Sequence, residues 1–504
     1  MSDAAYLGAL DQGTGGTRFV VFDDEGTQLS QAFTTNQCQR PAPDRVEYDP
    51  LKLWSCATDA IRRGLVQADV DAEELRALGI SSQRQTTLLW ERDSGRPVTG
   101  AVGWQDRRTA EYVSSLSQTE RTLIRERTGL EPHAYFAAPT AKWLLDNGGS
   151  AGGDVRARAA DGEVLLGTID SWLLYNLTGV HATDVTNAAQ TMLFDVYERE
   201  WDDALLDLFD VPTAALPTVS PSSDPAAYGT TDPTGILNAS VPVTGVIGDQ
   251  QAALLSRVPV EEHAAKVTYG TGNFFLQNTG TVPVAAEGEL LTTIWFQQAG
   301  EDPLYGLEGP VFATGDVLEW LRTAGLLDRA SGLDQLDTDV GSMSGIQLVP
   351  GFGGLGAPFW TGDADTAVFG LNRNDGPEDL LRATVEAIAF GTRAVVEAAE
   401  RATGVEHCDL LVDGGATQDD AFTQLQADLL DRPLRRSRVS QTTALGAGIA
   451  AGIGAGVWDS LEATVPCRPA TRTFTPRATN DVVDEAYRHW REVVEAVVDL
   501  RCGE

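Results

Sequence analysis

Two apolar runs about half a chain apart each end on an Asp-Gln pair. Leu7-Gly8-Ala9-Leu10 leads into Asp11-Gln12, and Val243-Thr244-Gly245-Val246-Ile247-Gly248 leads into Asp249-Gln250. A short apolar run that stops at an acidic residue reads as a buried strand with its carboxylate at the end of a sheet. After Asp11 the chain continues through Gly13-Thr14-Gly15-Gly16-Thr17 to Arg18. That turn sets hydroxyls, a guanidinium and approachable backbone N–H groups beside a carboxylate, the mixture that phosphate recognition requires. From the turn alone, a plain hairpin tip with glycine for positive φ reads equally well. Two such strand ends in one chain imply similar halves around a cleft.

The elements around these runs follow from periodicity and turn chemistry. Strands Tyr6 to Leu10 and Arg18 to Phe22 frame the turn, and Asp49-Pro50 opens a helix with Leu53, Trp54, Ala57, Ala60, Ile61 and Leu65 on one face. Ala77 to Ile80 is a strand leading into Ser81-Ser82-Gln83-Arg84-Gln85. Asp146 to Gly153 reads as a glycine loop, and Pro212 to Gly235 as a peripheral excursion before Val241, where the second half begins. There a hairpin is expected over Ala265 to Leu276, and a long helix from Pro377 to near Gly404. A strand over Leu410 to Val412, a small-residue helix over Thr442 to Gly456 and a closing amphipathic helix over Asp481 to Leu500 complete it. Hairpins followed by helices in both halves predict an α/β protein with mixed sheets, divided near residues 1–253 and 254–504.

The 504 residues include 73 Asp and Glu against 37 Lys and Arg, a net charge of −36, yet 42% are hydrophobic, enough for a folded core. Lysine occurs only at Lys52, Lys142 and Lys266. A surface this acidic suits concentrated salt, where screening over a few Å removes self-repulsion, and it makes nucleic acid and anionic membrane poor partners. The five cysteines form no Cys-x-x-Cys pair and the five histidines no metal spacing. With no basic leader before the first strand and no long apolar stretch, a reducing cytoplasm is the expected location. The absence of Gly-x-x-x-x-Gly-Lys-Ser/Thr excludes a P-loop.

Asp249 precedes the helix-like Gln250 to Ser256, so its carboxylate is a helix cap or a general base. Arg84, Gln85, Trp104, Tyr135 and Phe274 form a polar and aromatic set that only the fold brings together; read singly, Trp104 and Tyr135 are core or cleft wall.

Taken in order, several segments resemble the FGGY carbohydrate kinases over nearly the whole chain. They are Asp11-Gln12-Gly13-Thr14, Ser82-Gln83-Arg84, Trp104-Gln105-Asp106-Arg107, Ala134-Tyr135-Phe136, Gly248-Asp249-Gln250-Gln251, Tyr269-Gly270-Thr271-Gly272, Leu307-Glu308-Gly309, Val412-Asp413-Gly414-Gly415-Ala416 and Thr443-Ala444-Leu445-Gly446. The resemblance implies two ribonuclease-H-like domains of the actin and Hsp70 type, closing over ATP, Mg²⁺ and a small polyol. The implied reaction is phosphorylation of glycerol to sn-glycerol 3-phosphate, by a homo-oligomer, dimer or tetramer. Asp249 would take the proton from the primary hydroxyl, and Asp11, the second catalytic carboxylate, would hold Mg²⁺ through phosphate and water. Thr14, Gly15, Gly16, Arg18 and Thr271 would meet the phosphates, and Gly315, Glu319, Gly415 and Asp419 the rest of the nucleotide. Arg84, Gln85, Trp104, Tyr135, Asp249, Gln250 and Phe274 would hold the polyol.

Some positions depart from the family pattern. Gln85 stands where Glu is usual, replacing an acceptor-only carboxylate with an amide that also donates, and this makes dihydroxyacetone or a C4 polyol an alternative substrate. Gly15-Gly16 replace Thr and Ser, Glu319 replaces Gln, and Asp419 replaces Asn. A reading of another class is an actin-like or Hsp70-like nucleotide-binding regulator without turnover.

Overall fold

The computed structural model describes residues 5–148, 154–257, 263–312, 314–327, 333, 336–340, 343–362, 364–438, 441–467, 471–477 and 481–502. Most of the expected Asp146 to Gly153 loop lies outside them; Asp146 and Asn147 finish the helix Ala137–Asn147.

Strands β1 (Tyr6–Gln12) and β2 (Gly16–Phe22) form the expected hairpin, which sets Asp11 directly opposite Arg18. β3 (Gln28–Thr35) adds to β2 antiparallel. Helix α1 (Pro50–Ala68) starts at Asp49, whose carboxylate accepts the N–H groups of Leu51 and Lys52, and it buries Leu53, Ala57, Ala60 and Ile61. It returns the chain to β4 (Leu75–Ser82), parallel to β1. The fifth strand is β5 (Val243–Gly248), parallel to β4, in the order β3-β2-β1-β4-β5.

This placement corrects two expectations. The run from Val243 closes the first sheet and does not open the second half, so Asp11 and Asp249 end strands of one sheet with β4 between them. Every residue of β5 is buried, as suits a parallel strand covered on both faces. The stretch from Pro212 is also less peripheral than expected. Thr218–Ser220 pairs with Ala182–Asp184, and the buried Ser222 donates to Asp184 at 2.7 Å.

The second sheet comprises β6 (Ala265–Tyr269), β7 (Asn273–Gly280), β8 (Leu291–Phe296), β9 (Leu304–Val311), β10 (Leu410–Asp413), β11 (Leu434–Ser437) and β12 (Thr471–Phe474). Its order is β8-β9-β7-β6-β10-β11-β12. The central five, β9-β7-β6-β10-β11, repeat the first sheet, with antiparallel pairs on one side of β6 and parallel pairs on the other. The similarity between halves therefore lies in whole sheets, with β1 and β6 as counterparts.

The helices α2 (Asp249–Leu255), α3 (Gly315–Thr323), α4 (Pro377–Thr403), α5 (Asp420–Leu430), α6 (Thr442–Gly454) and α7 (Asp481–Cys502) complete the framework. The small-residue helix α6 packs on β5, β4 and β1 of the first sheet and on α2. Its Gly446 and the strand residue Gly79 let main chains touch: an added Cβ would stand 1.9 Å from the Ala252 oxygen and 2.0 Å from the Ala447 oxygen, respectively. In α7, Val483, Trp490, Val494 and Val497 are buried as expected. Among the described residues, no helix is long and apolar enough to cross a membrane.

Candidate active site

The two sheets aim their strand ends at one cleft of about 410 Å³. Asp11, Thr14, Gly15, Gly16, Arg18, Arg84, Gln85, Trp104, Tyr135, Asp249, Gln250, Thr271, Phe274 and Gly415 all line it. The two acidic strand ends thus stand on one wall, and the Gly270-Thr271-Gly272 turn and Gly415 face them from the second sheet.

Arg84 follows β4 and is buried between both halves. Its Nη1 and Nη2 donate to the two oxygens of Glu308 at 2.6 Å each, and its Nε lies 3.3 Å from Asp249 Oδ1. Burial would lower the Arg84 pKa, but Glu308 and then Asp249 raise it above the ordinary arginine value, so the cation is permanent. Asp249 is the first residue of α2, with Gly248 in the capping position. Its Oδ1 accepts the neighbouring Gln250 N–H at 2.7 Å and none further into the helix, so the capping alternative does not hold. Its side chain is 25% exposed, facing the cleft. Burial raises its pKa against the opposing charges of Arg84 and Lys266.

Asp11 is more deeply set. Burial pushes its pKa up to about 6, Arg18 opposes the rise at 3.1 Å, and the Asp249 charge adds to it. Asp11 Oδ1 is buried with no hydrogen-bond partner. Trp104 donates its indole N–H to Thr14 Oγ1 at 3.0 Å and meets Tyr135 and Phe274 edge-on at 5.8 and 5.9 Å, making an aromatic wall. Gly15 has open space where a Cβ would stand, whereas a Cβ on Gly16 would lie 2.2 Å from the Phe33 ring. Phe33 thus fills the room that a side chain at position 16 would need.

The residues expected on the nucleotide side are less concentrated. Gly315 opens α3 with its N–H on the Gly270 oxygen at 3.2 Å, directly behind the Thr271 turn. Glu319 lies on the same helix, pairs with Arg322 at 3.5 Å and lines an adjoining hollow of about 480 Å³ that shares Trp104 and Tyr135. Asp419 caps α5 by accepting the Phe422 N–H at 2.9 Å, so one of its oxygens is already engaged. Neither Gly315, Glu319 nor Asp419 lines the cleft that holds Asp11 and Asp249.

Three buried residues beneath the cleft, Lys266, Glu308 and Gln190, have no role among those expected from the sequence. Lys266 donates to Gln250 Oε1 and, at 2.7 Å, to Thr268, which donates to Asp413 at 2.6 Å. Burial pulls the Lys266 pKa down to about 8, against the pull of Asp413 and Asp249. Glu308 interrupts an apolar strand, and Lys266 is one of only three lysines, so each left a signal. Gln190, which accepts from Gln85 at 2.9 Å, left none.

Two mixed sheets of the same strand order, with a cleft between their strand ends and two carboxylates on one wall of it, define the actin-like fold class. The FGGY family of carbohydrate kinases matches in both parts, its N-terminal domain over residues 6–256 and its C-terminal domain over residues 265–455. The chain belongs to this family. It is 46% identical to the glycerol kinase of Haloferax volcanii, covering 99% of each chain, and 41% identical to that of Deinococcus radiodurans, again over 99% of each. Among solved structures, the glycerol kinase of Plasmodium falciparum with ADP superposes with a TM-score of 0.86 at 29% identity, covering 98% of each chain.

Proposed function

We propose that this enzyme transfers the γ-phosphoryl group of ATP to a primary hydroxyl of glycerol, giving sn-glycerol 3-phosphate. The observation that carries this reading is the Asp249 carboxylate, open to a cleft whose wall joins Arg84 to the aromatic trio Trp104, Tyr135 and Phe274. A small polyol needs hydrogen-bonding groups for its hydroxyls and a flat apolar face for its carbons, and both are present. The glycerol kinases to which the chain is similar support the same substrate.

Asp249 accepts the hydroxyl proton, a role worth roughly 10²–10⁴ in rate. Arg84, clamped by Glu308, cannot swing away and orients both Asp249 and the polyol. Gln250, fixed from below by Lys266, offers its remaining donor side to a hydroxyl. Thr14, the N–H groups of Gly15 and Gly16, Arg18, Thr271 and Gly415 hold the phosphates. Gly315, Glu319 and Asp419 bound the rest of the nucleotide. The unpartnered Asp11 Oδ1 fits a hydrated cation, and Mg²⁺ held there would neutralise phosphate charge. The acidic surface and the free thiols Cys38, Cys56 and Cys408 suit a salt-rich reducing cytoplasm.

The test is polyol-dependent ADP release in molar KCl with glycerol, dihydroxyacetone and erythritol. Glycerol is expected to lead in kcat/KM; if it trails either competitor by about tenfold, one hydrogen bond's worth of discrimination, the substrate assignment falls.

A further inference from the structure

A chain of amides runs from Glu308 to the cleft, and its direction is fixed at its buried end. Glu308 is fully buried, with both carboxylate oxygens accepting from Arg84. The Gln190 side-chain amide lies 3.2 Å from Glu308 Oε2 and 3.0 Å from Thr293 Oγ1. An ionised carboxylate only accepts, so the Gln190 group facing it is the NH₂. Thr293 Oγ1 accepts the same NH₂ at 3.0 Å, and its own proton has the Ile294 carbonyl 3.4 Å away, at the long limit for a hydrogen bond. Gln190 Oε1 therefore faces the other way, and the Gln85 NH₂ donates to it at 2.9 Å. Gln85 is held at φ 63°, in the left-handed region, with its carbonyl accepting the Thr87 hydroxyl at 2.7 Å. Gln85 lines the cleft beside Tyr135, and with its NH₂ turned to Gln190 the oxygen is the end left for a ligand.

We propose that Gln190 is a positioning residue that, with its direction set by Glu308 and Thr293, makes Gln85 present an acceptor oxygen to the substrate. Position 85 then selects a ligand that donates a hydroxyl proton there, a polyol, over one that offers a ketone oxygen. This rests on the reading of the cleft as a polyol kinase site. It also makes positions 85 and 190 a coupled pair. A carboxylate at position 85 alone would face the Gln190 oxygen, and turning that amide would set its oxygen against Glu308. Only a donor-only residue at position 190 satisfies two carboxylates at once.

The experiment measures kcat and KM for glycerol and dihydroxyacetone in the parent, Gln190→Met, Thr293→Val, Gln85→Glu and Gln85→Glu/Gln190→Arg. Freeing the Gln85 amide in Gln190→Met is expected to lower the glycerol-to-dihydroxyacetone ratio of kcat/KM by about tenfold, through KM, with kcat within about twofold. Thr293→Val, which keeps the packing and removes one of the two locks, should move the ratio the same way by less. Gln85→Glu alone should lose about tenfold or more on glycerol, and the double variant should recover most of it. A ratio unchanged within about twofold in both Gln190→Met and Thr293→Val, or a Gln85→Glu enzyme as good as the parent, overturns the proposal. Failure of the parent to phosphorylate any polyol would instead overturn the functional reading.

Discussion

Replacing Asp11 with Asn should stabilise the protein while disabling it. Asp11 has its pKa raised from the ordinary 3.8 to about 6, chiefly by burial. The fold therefore prefers the protonated acid. The stability this contributes is fully present below pH 3.8 and is lost as pH rises through about 6. At about 1.4 kcal/mol per pH unit, that interval amounts to about 3 kcal/mol, the cost of keeping Asp11 ionised at pH 7. Asn has the same shape without the charge, and Arg18, left without its carboxylate, still lies over the Phe33 ring at 5.2 Å. In molar KCl, Asp11→Asn is expected to unfold at higher urea than the parent at pH 7, by up to about 3 kcal/mol. The gap should narrow by about 1 kcal/mol at pH 5, where the parent Asp11 is mostly protonated. Phosphoryl transfer should fall by about 10²-fold or more, because the phosphate charge loses its local counter-ion site. A variant that unfolds at lower urea than the parent at pH 7, or whose advantage does not shrink on acidification, would refute the account of Asp11 as a strained carboxylate.

Other outcomes follow from the same geometry. Asp249→Asn should lower kcat by roughly 10²–10⁴ with little change in the KM for glycerol, and a loss smaller than tenfold would remove it as the base. The acid limb of the parent's pH–kcat profile should be shifted upward from the ordinary Asp value, because burial raises the Asp249 pKa. Gly446→Ala should cost about 1–3 kcal/mol in denaturant unfolding, since its Cβ would stand 1.9 Å from a main-chain oxygen that cannot yield cheaply; an unchanged midpoint would contradict the packing of α6. Transfer from about 1 M to about 0.1 M KCl lengthens the screening distance from about 3 to about 10 Å, and with a net charge of −36 the melting temperature should drop by roughly 5–10 °C. A melting temperature independent of salt would count against the salt-adapted reading of the surface.

Local chemistry made much of the fold legible. Asp49-Pro50 marks the start of α1 and Gly404 the end of α4 because caps and proline act within a turn. The β6–β7 hairpin is similarly readable from Gly270-Thr271-Gly272. Strand pairing was not legible: the run from Val243 has no residue that names β4 as its neighbour, so its place in the first sheet emerged only from the structure. The cleft residues that terminate strands, Asp11 and Asp249, were readable because a carboxylate ending an apolar run is conspicuous. The residues beneath the cleft, above all Gln190, which holds Gln85, act across 100 or more positions and leave no local pattern.

The electrostatics of the interior and of the surface are set by opposite requirements. Outside, the acidic residues need only water and salt, and lysine is almost absent. Inside, Asp11, Glu308 and Asp413 are largely removed from both and Asp249 is open only to the cleft, and each lies beside a fixed cation: Arg18, Arg84 or, for Asp413, Arg257 at 3.7 Å. Lys266, 1% exposed, reaches the same group through Gln250 and Thr268. A buried carboxylate without such a partner would simply hold its proton and could neither accept one from an alcohol nor bind a cation. The cations under the cleft therefore limit how far burial raises Asp11 and Asp249: Arg18 opposes the rise at Asp11, and Arg84 and Lys266 oppose it at Asp249. That constraint acts only where solvent is excluded, which is why one of three lysines in so acidic a chain sits in the core beneath the reacting groups.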